Sequence, residues 1–388
     1  MARMLCVSIC LVGCNPSSAL RGLRESQSAH ERYGESLRAA GLDSTAIGRD
    51  WLAASDSALR SALSLTLPAR EVGIYTRTEA RAVAYRIMLR DGERLTVRLR
   101  AEGLTARLFL DLFQVRADST QPFALRATAE SGTDSTANPG LLSLEWEATE
   151  DGTFLLRFQP ELLRSGRFEL TASTGPVLAF PVEGRDNAAI QSLFGVDRDG
   201  GRRAHHGIDI FAPRGTPVVA ATDGVVRSIS PNGLGGNVIW LSDERRGQTL
   251  YYAHLDRHAV AAGQRVRQGD TIGFVGNTGN ARTTAPHLHF GIYRRPGGAI
   301  DPLRHVRLNT TRLPQLTADT LMIGREASPR AAATIRNGPA DSGASVRRLD
   351  RGTRLQVMAA NGSALRIQLD DGTAGYVEAS AVRVITKN

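Results

Sequence analysis

From Glu71 onward the chain alternates apolar and polar residues, and that period of two limits its fold more than any other feature. In RLTVRLR, Leu95, Val97 and Leu99 are the apolar members; in LLSLEWEA they are Leu142, Leu144, Trp146 and Ala148. TFLLRFQ repeats the pattern with Phe154, Leu156 and Phe158, and RFELTAS repeats it with Phe168 and Leu170. Successive side chains of a strand point to opposite faces, so these runs predict half-buried strands. With turns rich in Gly, Asp and Asn between them, residues 71–183 are expected to form an antiparallel β-sandwich. ADSTQP and ESGTDSTANPG are expected to be exposed loops.

The preceding stretch, residues 17–65, has a different period. Ile47, Trp51, Leu59 and Leu63 recur at four or multiples of four, which predicts helix. Gly41 is expected to split it into two helices, with Asp43 or Ser44 as the second N-cap. At 388 residues the chain is long enough for several domains. Its hydrophobic fraction of 41% and charged fraction of 22% suit ordinary globular material. The net charge of +9 is carried almost wholly by arginine, Lys387 being the only lysine. No dense basic run or nucleic-acid signature accompanies it, so no nucleic-acid partner is expected.

The N-terminus, MARMLCVSICLVGC, has a basic residue at Arg3 and an apolar run from Met4 to Val12 that is too short to span a bilayer. Leu11-Val12-Gly13-Cys14 resembles the lipobox of bacterial lipoproteins. That resemblance implies a signal over residues 1–14 and a lipid anchor on Cys14. Cys6 and Cys10 would leave with the signal, so the mature chain would offer no thiol as nucleophile or metal ligand. Asn15, by the same likeness, implies an exported lipoprotein on the periplasmic face of the outer membrane.

Seven of the eight histidines fall between positions 205 and 305. In TTAPHLHFGIY, His287 and His289 would project from one face of a strand, and two buried imidazoles are costly unless something binds them. AHHGIDIF places His205 four residues before Asp209, with Gly207 disfavouring a helix between them. Zinc accepts imidazole nitrogen and carboxylate oxygen, and a hydrolytic site needs three protein ligands. His205, Asp209 and one histidine of the later pair would supply them.

The order His-x-x-x-Asp, then YYAHL, then PHLHFG resembles the M23 family of zinc metallopeptidases, of the LytM and lysostaphin type. The likeness runs from FGVDRDGGRR to GGAIDPLRHV, residues 194–306 within a domain expected over 184–306, and includes the glycine-marked runs GTPVVAATDGVV, GGNVIWL and VRQGDTIGFVGNTGN. It implies an antiparallel sheet with a groove across one face and one Zn2+ per chain, held by His205, Asp209 and His289. It further implies His254 and His287 as unliganded catalytic histidines and hydrolysis of peptide cross-links between peptidoglycan stem peptides. His206, Asn237 and Tyr252 are candidates for the groove wall or for support of the ligands; His30, His258 and His305 are expected to be packing or surface residues.

After a linker over 307–320, LDRGTRLQV and GTAGYVEASAVRV resemble the bacterial SH3 domain, which implies a small β-barrel over residues 321–388. The strand order of residues 71–183 loosely resembles small jelly-roll domains. The expected fold is thus mainly β and multidomain, with an N-terminal helical segment. A second reading keeps the groove as a wall-binding surface that activates another hydrolase; the full set of five residues favours the enzyme. A regulatory protein partner fits either reading.

Overall fold

The computed structural model describes residues 27–102, 106–116, 122–131, 140–198, 200–309, 312–339 and 343–385. The three cysteines with their lipobox-like run, and most of the two predicted loops, lie outside those residues. Among the described residues no helix is long and apolar enough to cross a membrane.

Two helices, Ala29–Ala39 and Ala46–Arg60, flank Gly41, which sits at φ +71°. The first opens with a capping box: the Ser28 hydroxyl accepts from the Glu31 N–H at 3.1 Å, and the Glu31 carboxylate accepts from the Ser28 N–H at 2.8 Å. The second is capped by Thr45, not by Asp43 or Ser44. A 3-10 turn over Leu42–Ser44 uses those residues, and the Thr45 hydroxyl then accepts from the Gly48 N–H at 3.2 Å. Leu63 continues the helical spacing but leaves the helix for the short strand Leu63–Ser64.

Both helices lie on a sheet of Leu63–Ser64, Val83–Leu89, Gly152–Pro160, Leu108–Val115 and Phe123–Glu130. The alternation read in TFLLRFQ therefore gives a strand buried on both faces. Phe154, Leu156 and Phe158 face the inner core, while Arg157 donates to Ser55, and Gln159 to the Trp51 carbonyl at 2.9 Å, on the helical side. Trp51, 1% exposed, donates its indole N–H to Pro160 O at 2.8 Å and stacks on His30 at 4.5 Å. Its truncation to Ala would cost about 3–5 kcal/mol.

Across the inner core stand Ala69–Tyr75, Gly166–Pro176, Glu93–Glu102 and Leu141–Glu147, contributing Leu95, Val97, Leu99, Phe168 and Leu170. This second sheet does not end there. Ala69–Tyr75 pairs with Leu355–Asn361, and the ladder continues through Ala364–Gln368, Ala374–Glu378, Ala333–Arg336 and Ser345–Leu349. The segment 321–385 is therefore joined edge to edge with the preceding region. The buried Glu71 carboxylate seals the join by accepting from Arg366 at 2.9 Å, Tyr85 at 2.6 Å and Tyr376.

The histidine-rich region forms its own antiparallel sheet, in the order Ile190–Ser192, Ile208–Phe211, His287–Arg294, Gln248–His258, Gly236–Asp243, Gly224–Asn232 and Arg265–Val266. Ile208, Ile210, Leu288, Phe290, Leu250 and Tyr252 pack beneath one face. The unit is braced against its neighbour at Glu147, which meets Arg94 at 3.0 Å, Arg246 at 2.9 Å and Arg245 at 3.1 Å. The opposite face carries Asp209, Tyr251, His287 and His289, which line a cleft.

Candidate metal centre

Asp209 and His289 are direct cross-strand partners, so both side chains rise from the same face. His205 reaches them from the segment just before the Ile208–Phe211 strand. The three donor atoms make a triangle: His205 Nε2 to His289 Nδ1 is 2.9 Å, and each lies 3.0 Å from Asp209 Oδ1. The ring of His289 fits because residue 207 is glycine; a Cβ there would stand 2.8 Å from His289 Cε1 and Nε2 and 2.4 Å from Phe290 O.

The hydrogen-bond chemistry of this triangle is unbalanced. His205 Nδ1 faces the Leu193 carbonyl at 2.8 Å, and a carbonyl only accepts, so neutral His205 carries its proton there and presents a bare Nε2. Asp209 Oδ1 is also an acceptor. The carboxylate is held well below its usual range: burial alone would raise it, but the imidazoles of His205 and His289 beside it outweigh that. Burial foremost lowers His289. Two acceptors, His205 Nε2 and Asp209 Oδ1, lie 3.0 Å apart inside the protein with His289 Nδ1 beside both, which calls for a cation, and two imidazole nitrogens with one carboxylate oxygen suit a borderline divalent ion such as zinc. The residues present fit the group.

His254 and His287 stand beside the triangle. Their rings are 5.0 Å apart, and His254 is 5.9 Å from His289. His254 Nδ1 faces Thr278 O at 2.9 Å and His287 Nδ1 faces Ala285 O at 2.9 Å. By the same carbonyl argument each neutral ring presents an unprotonated Nε2. Burial, then the neighbouring imidazoles, lowers His254 to about 4 and keeps it neutral. Phe211 stacks on His287 at 4.9 Å.

His254 reaches this place through a strained backbone. Tyr251 and Ala253 of its strand line the cleft, whereas Tyr252 is fully buried in the core, its hydroxyl accepting from the Ala221 N–H at 2.9 Å. Continued alternation would send residue 254 to the core as well. Instead His254 adopts φ +62°, rare for a non-glycine residue, and turns its ring to the open face. Asn237 holds this irregularity by donating to Leu255 O at 3.1 Å and Asp256 O at 3.0 Å.

The cleft over the triangle measures ≈ 680 Å³. Five predicted residues, His205, Asp209, His254, His287 and His289, meet there, and the exposed His206 is on its wall. Tyr252 is corrected to a core residue, and Asn237 acts on the strand behind His254. His305 is a buried packing residue 3.0 Å from Arg294 Nη2, and His30 is a buried ring stacked on Trp51. Sequence reasoning missed Arg198, whose Nη2 donates to Asp209 Oδ2 at 2.6 Å and to Ser192 Oγ at 2.7 Å. It also missed Tyr251, edge-on to His289 at 5.8 Å, although the period of two that buries Tyr252 would have exposed it.

The family model for Peptidase family M23 matches residues 203–302. The chain is 46% identical over 99 residues to the peptidoglycan DD-endopeptidase ShyC of Vibrio cholerae, covering 24% of this chain and 22% of that protein. It is 39% identical over 140 residues to the L-Ala–D-Glu endopeptidase of Bacillus subtilis, covering 33% and 43%. The match thus spans less than half the length of either relative. The catalytic domain of lysostaphin from Staphylococcus simulans is 33% identical over 29% of this chain and 86% of that one, with a TM-score of 0.26. Residues 203–302, which carry most of the cleft, thus match a peptidase M23 domain within a longer, mainly β chain.

Proposed function

We propose that the protein is a zinc metalloendopeptidase that hydrolyses peptide cross-links of bacterial peptidoglycan. The observation that carries this reading is the convergence of His205, Asp209 and His289, able to ligate one ion, with two imidazole Nε2 atoms in one cleft. His205, Asp209 and His289 would hold the ion; when bound, it supplies Lewis-acid polarisation of a carbonyl and lowers the pKa of water towards about 7. His254 and His287 take up a proton from the attacking water and return it to the leaving amine through Nε2, the nitrogen that their Nδ1 carbonyl partners leave facing the cleft. Arg198 occupies the outer oxygen of Asp209 and so leaves Oδ1 to face the ion. The named activities of the relatives support the choice of substrate.

The proposal includes export and lipidation at Cys14, on the periplasmic face of the outer membrane. It rests on the residues around that cysteine alone; fatty-acid labelling that survived Cys14→Ser would remove it. The central test is mass spectrometry of purified sacculi after digestion. Soluble muropeptides with a newly cut peptide bond are expected, abolished by chelation. His287→Ala should abolish them too while retaining the metal; intact hydrolysis in that variant would contradict the assignment.

A further inference from the structure

The cleft does not stop at the histidines. Along the strand that carries them, the alternation that turns His287 and His289 to the cleft face next places Gly291 and Tyr293 on that face, and then reaches Arg295 in the turn beyond. Gly291 leaves the floor low: a Cβ there would press to 2.9 Å from His206 O and 3.2 Å from Tyr293. Tyr251, Trp240 and Tyr293 form a continuous aromatic shelf, with ring centroids 4.3 Å and 5.2 Å apart in sequence.

On the far side of Trp240 and Tyr293 lies a second basin of ≈ 520 Å³. Among the described residues three arginines line it, Arg227, Arg294 and Arg295, and no carboxylate does. Arg294 is already held by Asp91 at 2.7 Å and 3.1 Å. Arg227 and Arg295 are exposed and make no ion pair among the described residues. Arg227 is the extra residue where the register slips between Val226 and Ser228, and such a bulge re-aims a side chain. Two guanidiniums without an ion pair among the described residues therefore stand in a basin that shares the Trp240 and Tyr293 wall with the cleft over the metal triangle.

We infer that this basin is a carboxylate subsite: it receives an acidic group of the same extended peptide whose scissile bond lies at the metal. From His289 to Arg295 is about 20 Å of strand. A peptide of about six residues spans that length. Planar guanidiniums favour carboxylates through charge-assisted, paired hydrogen bonds. The inference rests on the endopeptidase reading and narrows it to substrates that carry an acid a few residues from the cut.

The test uses the zinc-loaded full chain bearing His287→Ala, so that bound peptides persist. Fluorescein-labelled alanine–glycine peptides carry one glutamate at successive positions, each with a glutamine counterpart, and fluorescence anisotropy reads their affinities. At one position the glutamate peptide should bind about tenfold tighter than its counterpart. Added salt should shrink that gap, because the arginines are exposed. Combining Arg227→Gln with Arg295→Gln should close it. A gap absent at every position, or one that survives the double substitution, overturns the subsite. So would displacement of the best glutamate peptide by a glycerol-phosphate polymer at lower concentration, which would assign the basin to phosphodiesters. Sacculus digestion by the wild-type protein is read separately: its failure with the glutamate preference intact removes the endopeptidase reading and leaves the subsite standing.

Discussion

Glu71 with Arg366, Tyr85 and Tyr376, and His205 with Asp209 and His289, are both clusters of polar side chains sunk in β-sheet, yet their hydrogen-bond chemistry is opposite. In the first, every acceptor meets a donor: both Glu71 oxygens are taken by two hydroxyls and a guanidinium, and the charges cancel. Burial pushes the hydroxyls of Tyr85 and Tyr376 well up, so they remain donors. In the second, the bare Nε2 of His205 faces Asp209 Oδ1 at 3.0 Å, acceptor to acceptor, and among the described residues the charged donor beside them, Arg198, has gone to the outer oxygen. A closed cluster fastens two parts of a fold together. One with surplus acceptors is a binding site waiting for positive charge, because a buried acceptor without a partner costs about 1–3 kcal/mol.

The comparison predicts opposite consequences for removing one member. His289→Ala should reduce hydrolysis by about three orders of magnitude or more, since the ion and its chemistry go together. In the presence of chelator its thermal stability should match or exceed that of the parent; a large loss there would mean the triangle is structural. Glu71→Ala should do the reverse: about 3–5 kcal/mol of stability is lost by stranding Arg366, as denaturant melts would show, while the folded fraction still binds metal. Unchanged melts would break the comparison from the other side.

Smaller effects sharpen it. Arg198→Ala should weaken metal affinity about 10- to 100-fold in chelator competition, because an outer partner orients the ligand. Full retention would show that Asp209 needs no such help. The smallest effect concerns His30, lowered from 6.5 to about 3 by burial first and by Arg157 second. Unfolded His30 takes a proton near pH 6.5 and folded His30 does not until about pH 3. Its contribution to stability is therefore complete above 6.5 and lost as pH falls towards 3. At pH 5 the loss is on the order of 1–2 kcal/mol. His30→Phe keeps a ring against Trp51 and should melt with a flatter pH dependence over that range; an identical dependence would clear His30 of the effect.

What could be read from sequence divides along physical lines. Strands with strict alternation were legible because period two survives burial of one face, as at Leu95, Val97 and Leu99. The candidate ligands were legible in part: His-x-x-x-Asp and His-x-His are local spacings, whereas the choice of His289 came from the family resemblance and its pairing with Asp209 is long-range. Tyr252 was misplaced because parity had to be counted from the strand's buried residues, and His254 breaks that parity by a backbone turn no residue type announces. Thr45 took the cap expected of Asp43 or Ser44 because a 3-10 turn intervened. Arg198 belongs to no motif: its role exists only because the hairpin Asp197–Arg198 with Arg203–Ala204 folds it over Asp209. The join of residues 355–361 to residues 69–75 is likewise a long-range pairing, invisible to any local period.

The most direct measurement is calorimetric titration of chelator-stripped protein with zinc, beside the His289→Ala variant. One tightly bound ion per parent chain, and none in the variant, is the predicted result. A parent chain that takes up no zinc, or a variant that binds it equally well, would contradict the claim that these surplus acceptors were brought together to hold a metal.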